Sequence, residues 1–235
     1  MTSLEMDVGL QKQNFEQLEG AARYYEWMLD VMSPYIGHNV LEVGCGQGNI
    51  AQYLLDRDGL HRRVHGIDTE ESYIRIAKSK IHDADFTAEV GDFRKLNREF
   101  DTVLCVNTVE HIADDRDFVR ELANRVRPGG TVAILVPAHN FLYSHYDHEV
   151  GHYRRYTKRS LRKLLKDADL AVEACFYFNA LGAVGWLVNY KWLRRMTPGN
   201  GNVKLLELLV PILSIIERIV PIPFGLSVIA VGRKS

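Results

Sequence analysis

The sequence predicts an α/β domain built on a parallel β-sheet that is covered by helices on both faces. Between about residues 39 and 136, short apolar segments of strand length alternate with longer segments of helical period. This alternation of apolar strands with helices predicts a parallel sheet with both faces buried. The 235 residues, 46% hydrophobic and 25% charged, suit one ordinary globular domain.

The elements follow in a regular order. A helix is predicted over residues 15–33, where apolar side chains recur at three- and four-residue spacing until Pro34. Repeated strand–helix units come next, and an Arg-Pro-Gly-Gly turn over residues 127–130 precedes the fifth strand. The predicted strands are Asn39–Val43, Arg63–Ile67, Phe86–Val90, Thr102–Val106 and Thr131–Val136, and the helices between them are Asn49–Arg57, Glu71–Ile81 and Asp115–Val126.

The pattern changes after Val136. Residues 137–157 are predicted to form a long polar loop that is rich in aromatic side chains. Thr157 is the expected N-cap of a helix that begins at Lys158 and carries leucines on one face. The remaining predicted elements are a strand over Leu170–Tyr177, two apolar helices over about 180–195 and 203–219, and a last strand over Phe224–Val231.

Composition excludes several classes of protein. A formal net charge of −1 argues against a protein that binds nucleic acid through bulk charge. No apolar segment reaches the ~20 residues of a membrane-spanning helix, although contact with the inner surface of a membrane stays open. Three distant cysteines without disulfide or zinc spacing, and an N-terminal segment without an apolar signal core, predict a cytoplasmic protein.

The charges are unevenly distributed along the chain. Residues 1–150 contain 15 basic and 25 acidic residues, whereas residues 151–235 contain 14 basic and 5 acidic ones. The boundary falls inside the polar loop. This division favours an anionic or membrane-borne ligand more than the near-zero total charge does.

Glycines at the first strand-to-helix turn carry the strongest functional signal. Gly44, Gly46 and Gly48 let the backbone approach a ligand closely and aim the N–H groups of the next helix at negative charge. Asn49 stands where the dinucleotide fingerprint needs glycine or alanine, which argues against a nicotinamide-dependent oxidoreductase. Asp68, 20 residues after Gly48, is placed to accept hydrogen bonds from ribose hydroxyls.

Asp92 ends the third predicted strand and is followed by Phe93. Its carboxylate is a candidate acceptor for an exocyclic amino group, with the aromatic ring beside the base. Each of these acids also has a structural interpretation, because Asp is a common helix N-cap. The glycine turn and the two acids occur in strand order, which favours the binding interpretation.

Residues 38–137 resemble the class I S-adenosylmethionine-dependent methyltransferases. The resemblance rests on LEVGCGQG (41–48), GID (66–68), GDF (91–93), the segment 100–112 and RPGG (127–130). It implies a Rossmann-like, doubly wound, seven-stranded and mostly parallel sheet with an antiparallel last strand. It also implies S-adenosylmethionine as cofactor and S-adenosylhomocysteine as product. The cofactor-binding residues it implies are Glu42, Gly44, Cys45, Gly46, Gly48, Asp68, Thr69, Asp92, Phe93 and Asn107.

The chain is expected to be one methyltransferase domain, residues 1–235. Its parts would be an N-terminal helical lid (1–37), a cofactor-binding core (38–137), a substrate loop (138–157) and a helical insertion before the last strand (180–220). In open α/β sheets the ligand lies beyond the carboxyl ends of the strands, so the segments after strands four and five should form the acceptor side.

The most distinctive segment of that side is residues 147–156, which resemble a D-x-x-x-G-H-x-R-R-Y pattern in a bacterial branch of the superfamily. His152 and His148 are the leading general-base candidates, followed by His111, since each has an acidic neighbour. A structural or solvent-exposed histidine is the alternative for each. The predicted substrate-binding residues are Glu110, His139, Tyr143, Asp147, Arg154, Arg155 and Tyr156.

No metal site is predicted, because the segment lacks a helical H-x-x-x-H pair and a cysteine ligand, although His, Asp and Glu converge in it.

Together these features predict methyl transfer to a small-molecule or to a lipid- or carrier-linked acceptor, with oxygen favoured. A non-catalytic, methyltransferase-like binding or partner subunit is the alternative. Residues 107–110, Asn-Thr-Val-Glu, differ from the N/D-P-P-Y/F signature of enzymes that methylate the amino groups of nucleic-acid bases. Nucleic acid is therefore not an expected partner, and the sequence does not indicate an oligomeric state.

Overall fold

A computed structural model describes residues 21–57, 61–193, 200–220 and 222–235. Seven strands form its single sheet: β1 (Asn39–Val43), β2 (Arg63–Asp68), β3 (Phe86–Val90), β4 (Phe100–Val106), β5 (Val126–Pro137), β6 (Leu170–Phe178) and β7 (Ser227–Lys234). Their order across the sheet is β3-β2-β1-β4-β5-β7-β6. The strands β1 to β5 are parallel, and β7 pairs antiparallel with both β5 and β6. The predicted mostly parallel sheet with an antiparallel last strand is confirmed.

Helices cover both faces of this sheet, as the uninterrupted apolar strands predicted. One core cluster joins the first face to α1, α2, α3 and α8, and a second joins the other face to α4 and α6. The helices are α1 (Ala22–Met32), α2 (Asn49–Asp56), α3 (Glu71–Lys80), α4 (Asp115–Asn124), α5 (His145–Glu149), α6 (Lys158–Asp167), α7 (Ala180–Trp186) and α8 (Asn200–Ile219).

Element boundaries differ from the prediction where backbone pairing overrides local turn signals. The Arg-Pro-Gly-Gly segment is part of β5, which starts at Val126 instead of Thr131, and its pairing with β4 is irregular between Phe100 and Thr102. The last strand starts three residues later than predicted and extends to Lys234, because it pairs along its length with two neighbours. Residues 15–20 of the predicted first helix lie outside the described residues.

The substrate loop contains more regular structure than predicted. It holds a 3₁₀ turn at Asn140–Leu142 and the short helix α5. The predicted N-cap of α6 is confirmed: Thr157 Oγ1 accepts from the Ser160 N–H at 3.1 Å, and Ser160 Oγ accepts from the Thr157 N–H at 2.9 Å.

The helix α8 packs on the core through Val210 and turns two acidic side chains toward the protein, while a row of its apolar side chains faces solvent. Glu207 accepts hydrogen bonds from the N–H groups of Arg23 and Tyr24, and Glu217 accepts from those of Asn179 and Ala180. These two acids therefore cap the starts of α1 and α7. The outward face of α8 is a stripe whose side chains are 45–74% exposed: Leu205, Leu208, Ile212, Ile215, Ile216 and Ile219. Within the described ranges, no helix has the length and apolar character to cross a membrane.

Candidate active site

The cofactor residues predicted from the sequence gather at one edge of the sheet. Parallel pairing places the carboxyl end of β1 beside those of β2 and β4, with Val43 opposite Ile67 on one side and Cys105 on the other. The segments that follow these three strands therefore meet at this edge.

The glycine loop after β1 has the backbone conformation that its sequence predicted. Gly44, Gly46 and Gly48 have φ angles of 74°, 51° and 77°, in the left-handed region. A Cβ atom at Gly44 would lie 2.4 Å from Oγ1 of Thr108, so no other residue fits there without a shift. The Gly46 N–H donates to Oδ2 of Asp68 at 2.9 Å, which ties this loop to the end of β2.

Glu42 lies below the loop and is almost completely buried. Its Oε2 has no hydrogen-bond partner, and burial, with the nearby charge of Asp68, raises the pKa of Glu42 to about 8. An unpartnered buried carboxyl oxygen beside a glycine cradle fits a ligand that brings hydrogen-bond donors or positive charge. Cys45 packs in the core, with its side chain against Gly66.

The other predicted cofactor residues lie around the same edge with different exposures. Asp68 also accepts from the Glu70 N–H at 2.9 Å, and Thr69 beside it is exposed. Asp92 accepts from the Arg94 N–H, so it caps a short 3₁₀ turn as its structural interpretation predicted. The ring of Phe93 packs in the core against Phe118. Asn107 is exposed and has a φ of 49°, in the left-handed region.

A second group of side chains lies directly after β4. Glu110 and His111 belong to a 3₁₀ turn, Val109–His111, and His152 approaches them from the substrate loop. Nε2 of His152 lies 4.0 Å from Oε1 of Glu110, and the rings of His111 and His152 are 4.6 Å apart. This group lies close to the glycine loop, because Thr108 touches both: its Oγ1 donates to the Val43 carbonyl at 3.4 Å.

Asp147 organises the substrate loop from a fully buried position. It accepts from the N–H and Oγ of Ser144 at 2.8 and 2.9 Å, and from Nε and Nη2 of Arg155 at 2.8 and 3.1 Å. Nδ1 of His152 lies 2.9 Å from its Oδ1. Burial alone would raise the pKa of Asp147. The hydrogen bond from His152 and the positive charge of Arg155 outweigh this effect and keep that pKa below its usual value. An ionised Asp147 therefore orients the His152 ring through an Nδ1–H donor.

The remaining substrate-loop candidates are engaged mainly within the protein. All three guanidinium nitrogens of Arg155 have acceptors, since Nη1 donates to the Ala138 carbonyl at 3.3 Å. Arg154 pairs with Asp115 at 2.8 Å, and the hydroxyl of Tyr156 donates to the same carboxylate at 2.9 Å. Both of these guanidinium groups are therefore paired with carboxylates of the protein.

The candidate histidines separate into different environments. His148 is 77% exposed and pairs with Glu149, away from the buried group at Glu110. Burial lowers the pKa of His139, and its Nε2 is buried without a partner, while its ring lies 4.4 Å from that of Tyr177. Tyr143 donates its hydroxyl proton to the His152 carbonyl at 2.6 Å.

Three residues that support this site were not among the predicted site residues: Ser144, Asp115 and Trp186. Ser144 begins an S-x-x-D capping box, a local signal that the sequence does contain. The other two act over long separations. Asp115 forms an ion pair with Arg154 and accepts a hydrogen bond from Tyr156. The Arg155 guanidinium lies 4.5 Å from the centroid of the Trp186 ring.

Comparison with known proteins identifies relatives of this chain. A ubiquinone biosynthesis O-methyltransferase from Thiobacillus denitrificans is 31% identical over 110 residues, which are 44% of this chain and 46% of that protein. The matched region thus spans about half of such relatives. The protein in complex with the Haloferax volcanii methyltransferase activator Trm112 has a TM-score of 0.67 at 18% identity, with 97% of both chains covered.

A Haemonchus contortus phosphoethanolamine N-methyltransferase, solved with S-adenosylhomocysteine, has a TM-score of 0.58 at 17% identity, covering 88% of this chain and 52% of that one. At these identities the two structures establish the fold. The family itself is established by sequence. A family profile described as a methyltransferase domain matches residues 16–174, about two thirds of the chain. S-adenosylmethionine, which the sequence resemblance implied, is the cofactor that the glycine loop and the unpartnered Glu42 oxygen fit. The chain belongs to the methyltransferase domain family.

Proposed function

We propose that this protein transfers a methyl group to an oxygen atom of a small-molecule or a lipid- or carrier-linked acceptor. The observation that carries the proposal is the group of Glu110, His111 and His152 beside the glycine loop. A buried carboxyl group and two imidazoles there can hold a hydroxyl group and receive its proton. The O-methyltransferase name of the ubiquinone relatives supports an oxygen acceptor.

The chain's part in the reaction is to position the acceptor and to accept a proton. When bound, S-adenosylmethionine supplies a methyl group on a positively charged sulfur, which an in-line nucleophile can displace. Positioning of that nucleophile is worth ~7–11 kcal/mol. His152 is the favoured base, because Asp147 fixes its Nδ1 and leaves Nε2 toward Glu110. His148 is the second candidate, and its exposure offers no comparable orientation.

Calorimetric titration with S-adenosylmethionine tests the enzyme assignment directly. A catalytic domain should bind one equivalent, whereas the absence of measurable binding would contradict the proposal and favour the non-catalytic alternative. Turnover of His152→Ala should then fall by about 10²–10⁴-fold, while its cofactor affinity stays unchanged. His148→Ala is the matched comparison. If both variants retain full turnover, neither histidine is the base.

The apolar stripe on α8 supports an acceptor that is reached at a membrane surface. Its six exposed leucine and isoleucine side chains form a continuous face, and Trp192 (71% exposed) follows α7. Large exposed apolar patches mark contact sites, and a helix with such a face suits the interface of a lipid bilayer. Peripheral membrane binding is therefore included in the proposal.

A further inference from the structure

The group formed by Glu110, His111 and His152 has the composition of a metal site. One potential ligand atom from each residue lies within 4.8 Å of the other two. A carboxylate with two imidazoles suits first-row transition metals such as Mn²⁺, Fe²⁺, Co²⁺ and Zn²⁺ better than it suits Mg²⁺ or Ca²⁺. Ligands about 2.1 Å from a metal lie roughly 3–3.5 Å apart, so modest side-chain movement would close the group around an ion.

Glu110 provides an independent reason to expect a ligand here. Its side chain is 0% exposed, and neither of its carboxyl oxygens has a hydrogen-bond partner in the described part of the chain. Leaving a buried carboxyl group without such a partner is costly. A cation held between Glu110 and the two imidazoles would be coordinated by one or both carboxyl oxygens of Glu110 and would supply their missing partner.

The surroundings of His152 match those of metal-binding histidines. In metal sites the second ring nitrogen of a ligating histidine commonly donates to a carboxylate, which fixes the tautomer and the ring orientation. Asp147 has this relation to Nδ1 of His152, and Arg155 and Ser144 in turn hold Asp147. Nε2 of His152 is then the nitrogen that faces Glu110 and can bind a metal.

A comparable group, His145, His148 and Glu149, occurs elsewhere among the described residues. Its two histidines are exposed, and both lie near the same carboxylate oxygen of Glu149. It lacks a buried, unpartnered carboxyl group and a supporting carboxylate of the Asp147 kind. This group therefore serves as a control in the same segment of chain.

We propose that Glu110, His111 and His152 bind one divalent transition-metal ion, which holds the acceptor oxygen through an open coordination position. The inference rests on the proposed function in placing the acceptor there. A bound metal lowers the pKa of a coordinated hydroxyl, whose proton then leaves to solvent. With the ion bound, Nε2 of His152 is a ligand, and the metal replaces His152 as the group that activates the acceptor.

The test uses the full chain, stripped with a chelator and then titrated with Mn²⁺, Zn²⁺ or Co²⁺ in the presence of S-adenosylmethionine. We expect one equivalent to bind and Co²⁺ to give visible absorption bands of imidazole and carboxylate coordination. Glu110→Gln and His111→Ala should each weaken binding at least tenfold and change the Co²⁺ spectrum. His145→Ala should leave both unchanged.

Two outcomes would overturn the metal proposal: no binding to the wild-type chain at millimolar metal, or binding that His145→Ala removes and Glu110→Gln does not. Cofactor affinity is measured on every sample. Unchanged affinity in Glu110→Gln shows that the variant is folded. It also separates the two proposals, because absent cofactor binding contradicts the proposed function, whereas loss of metal binding with retained cofactor binding concerns the metal site alone.

Discussion

At the scale of single residues, Gly44 is the position where the backbone of the cofactor loop is most restricted. Its φ is 74°, and an added Cβ would lie 2.4 Å from Oγ1 of Thr108. We expect Gly44→Ala to lower the free energy of unfolding by about 1–3 kcal/mol, the usual cost of such backbone strain. Because the strained atoms form the cofactor loop, affinity for S-adenosylmethionine should fall as well, as measured by calorimetry.

Gly185→Ala is the matched control for this substitution. Gly185 lies in α7, and no atom is within 4 Å of the Cβ that alanine would add. Alanine favours helix over glycine by up to ~1 kcal/mol, so this variant should be as stable as the wild type or slightly more stable. Equal cofactor affinity in Gly44→Ala and Gly185→Ala would contradict the assignment of the loop.

Glu42 predicts a pH dependence of stability. Its pKa in the folded protein is raised to about 8, against ~4.3 in an unfolded chain, so the folded state holds the proton more tightly. Stability from this group is fully present below about pH 4.3 and is lost as the pH rises toward 8, by about 1.4 kcal/mol per pH unit. Glu42→Gln removes this loss.

Urea unfolding at pH 5.5 and 7.5 measures the effect. The free energy of unfolding of Glu42→Gln minus that of the wild type should be larger at pH 7.5 than at pH 5.5. For Glu71→Gln, on the exposed surface of α3, this difference should be the same at both pH values. A stability difference between Glu42→Gln and the wild type that is the same at both pH values would refute a buried, protonated Glu42.

At the scale of elements, α8 is informative because its solvent-exposed face is apolar while two of its acids face the protein. Its acids are used to cap α1 and α7, so replacing the outward apolar side chains should leave the fold intact. We expect Ile212→Ser with Ile215→Ser to reduce sedimentation of the protein with lipid vesicles. These two side chains are 59% and 61% exposed.

The control for this experiment is Val90→Ser, which removes a 47% exposed apolar side chain on β3. It should sediment as the wild type does. Vesicles of phosphatidylcholine alone and with phosphatidylglycerol separate apolar from electrostatic attraction. If the wild-type chain does not bind either vesicle, the membrane part of the proposed function is wrong.

At the scale of the whole molecule, most of the fold could be predicted because short, mainly apolar strand segments alternate regularly with helical ones. The predicted start of β5 was wrong because a Pro-Gly-Gly segment has the local signature of a turn. Whether such a segment pairs with a neighbouring strand depends on residues far away in the sequence. The antiparallel direction of β7 came from the family resemblance, since strand direction has no signature in composition or periodicity.

The cofactor side of the site was more predictable than the acceptor side. The glycine loop and Asp68 depend on local backbone geometry and on strand order, both of which the sequence displays. The sequence could not separate His152 from His148, because each has acidic neighbours. Only the fold shows that His152 contacts buried Asp147 and approaches Glu110, whereas His148 points to solvent.

The antiparallel strand β7 also affects how the chain acquires its structure during synthesis. Among the residues that the structure describes, β7 lies between β5 and β6 in the sheet and pairs with both along nearly its whole length. Until residues 227–234 leave the ribosome, β6 lacks the strand with which it pairs, and β5 has an open edge. Co-translational folding can therefore form the β1 to β5 part of the sheet first, whereas β6 joins the sheet only after β7 has been made.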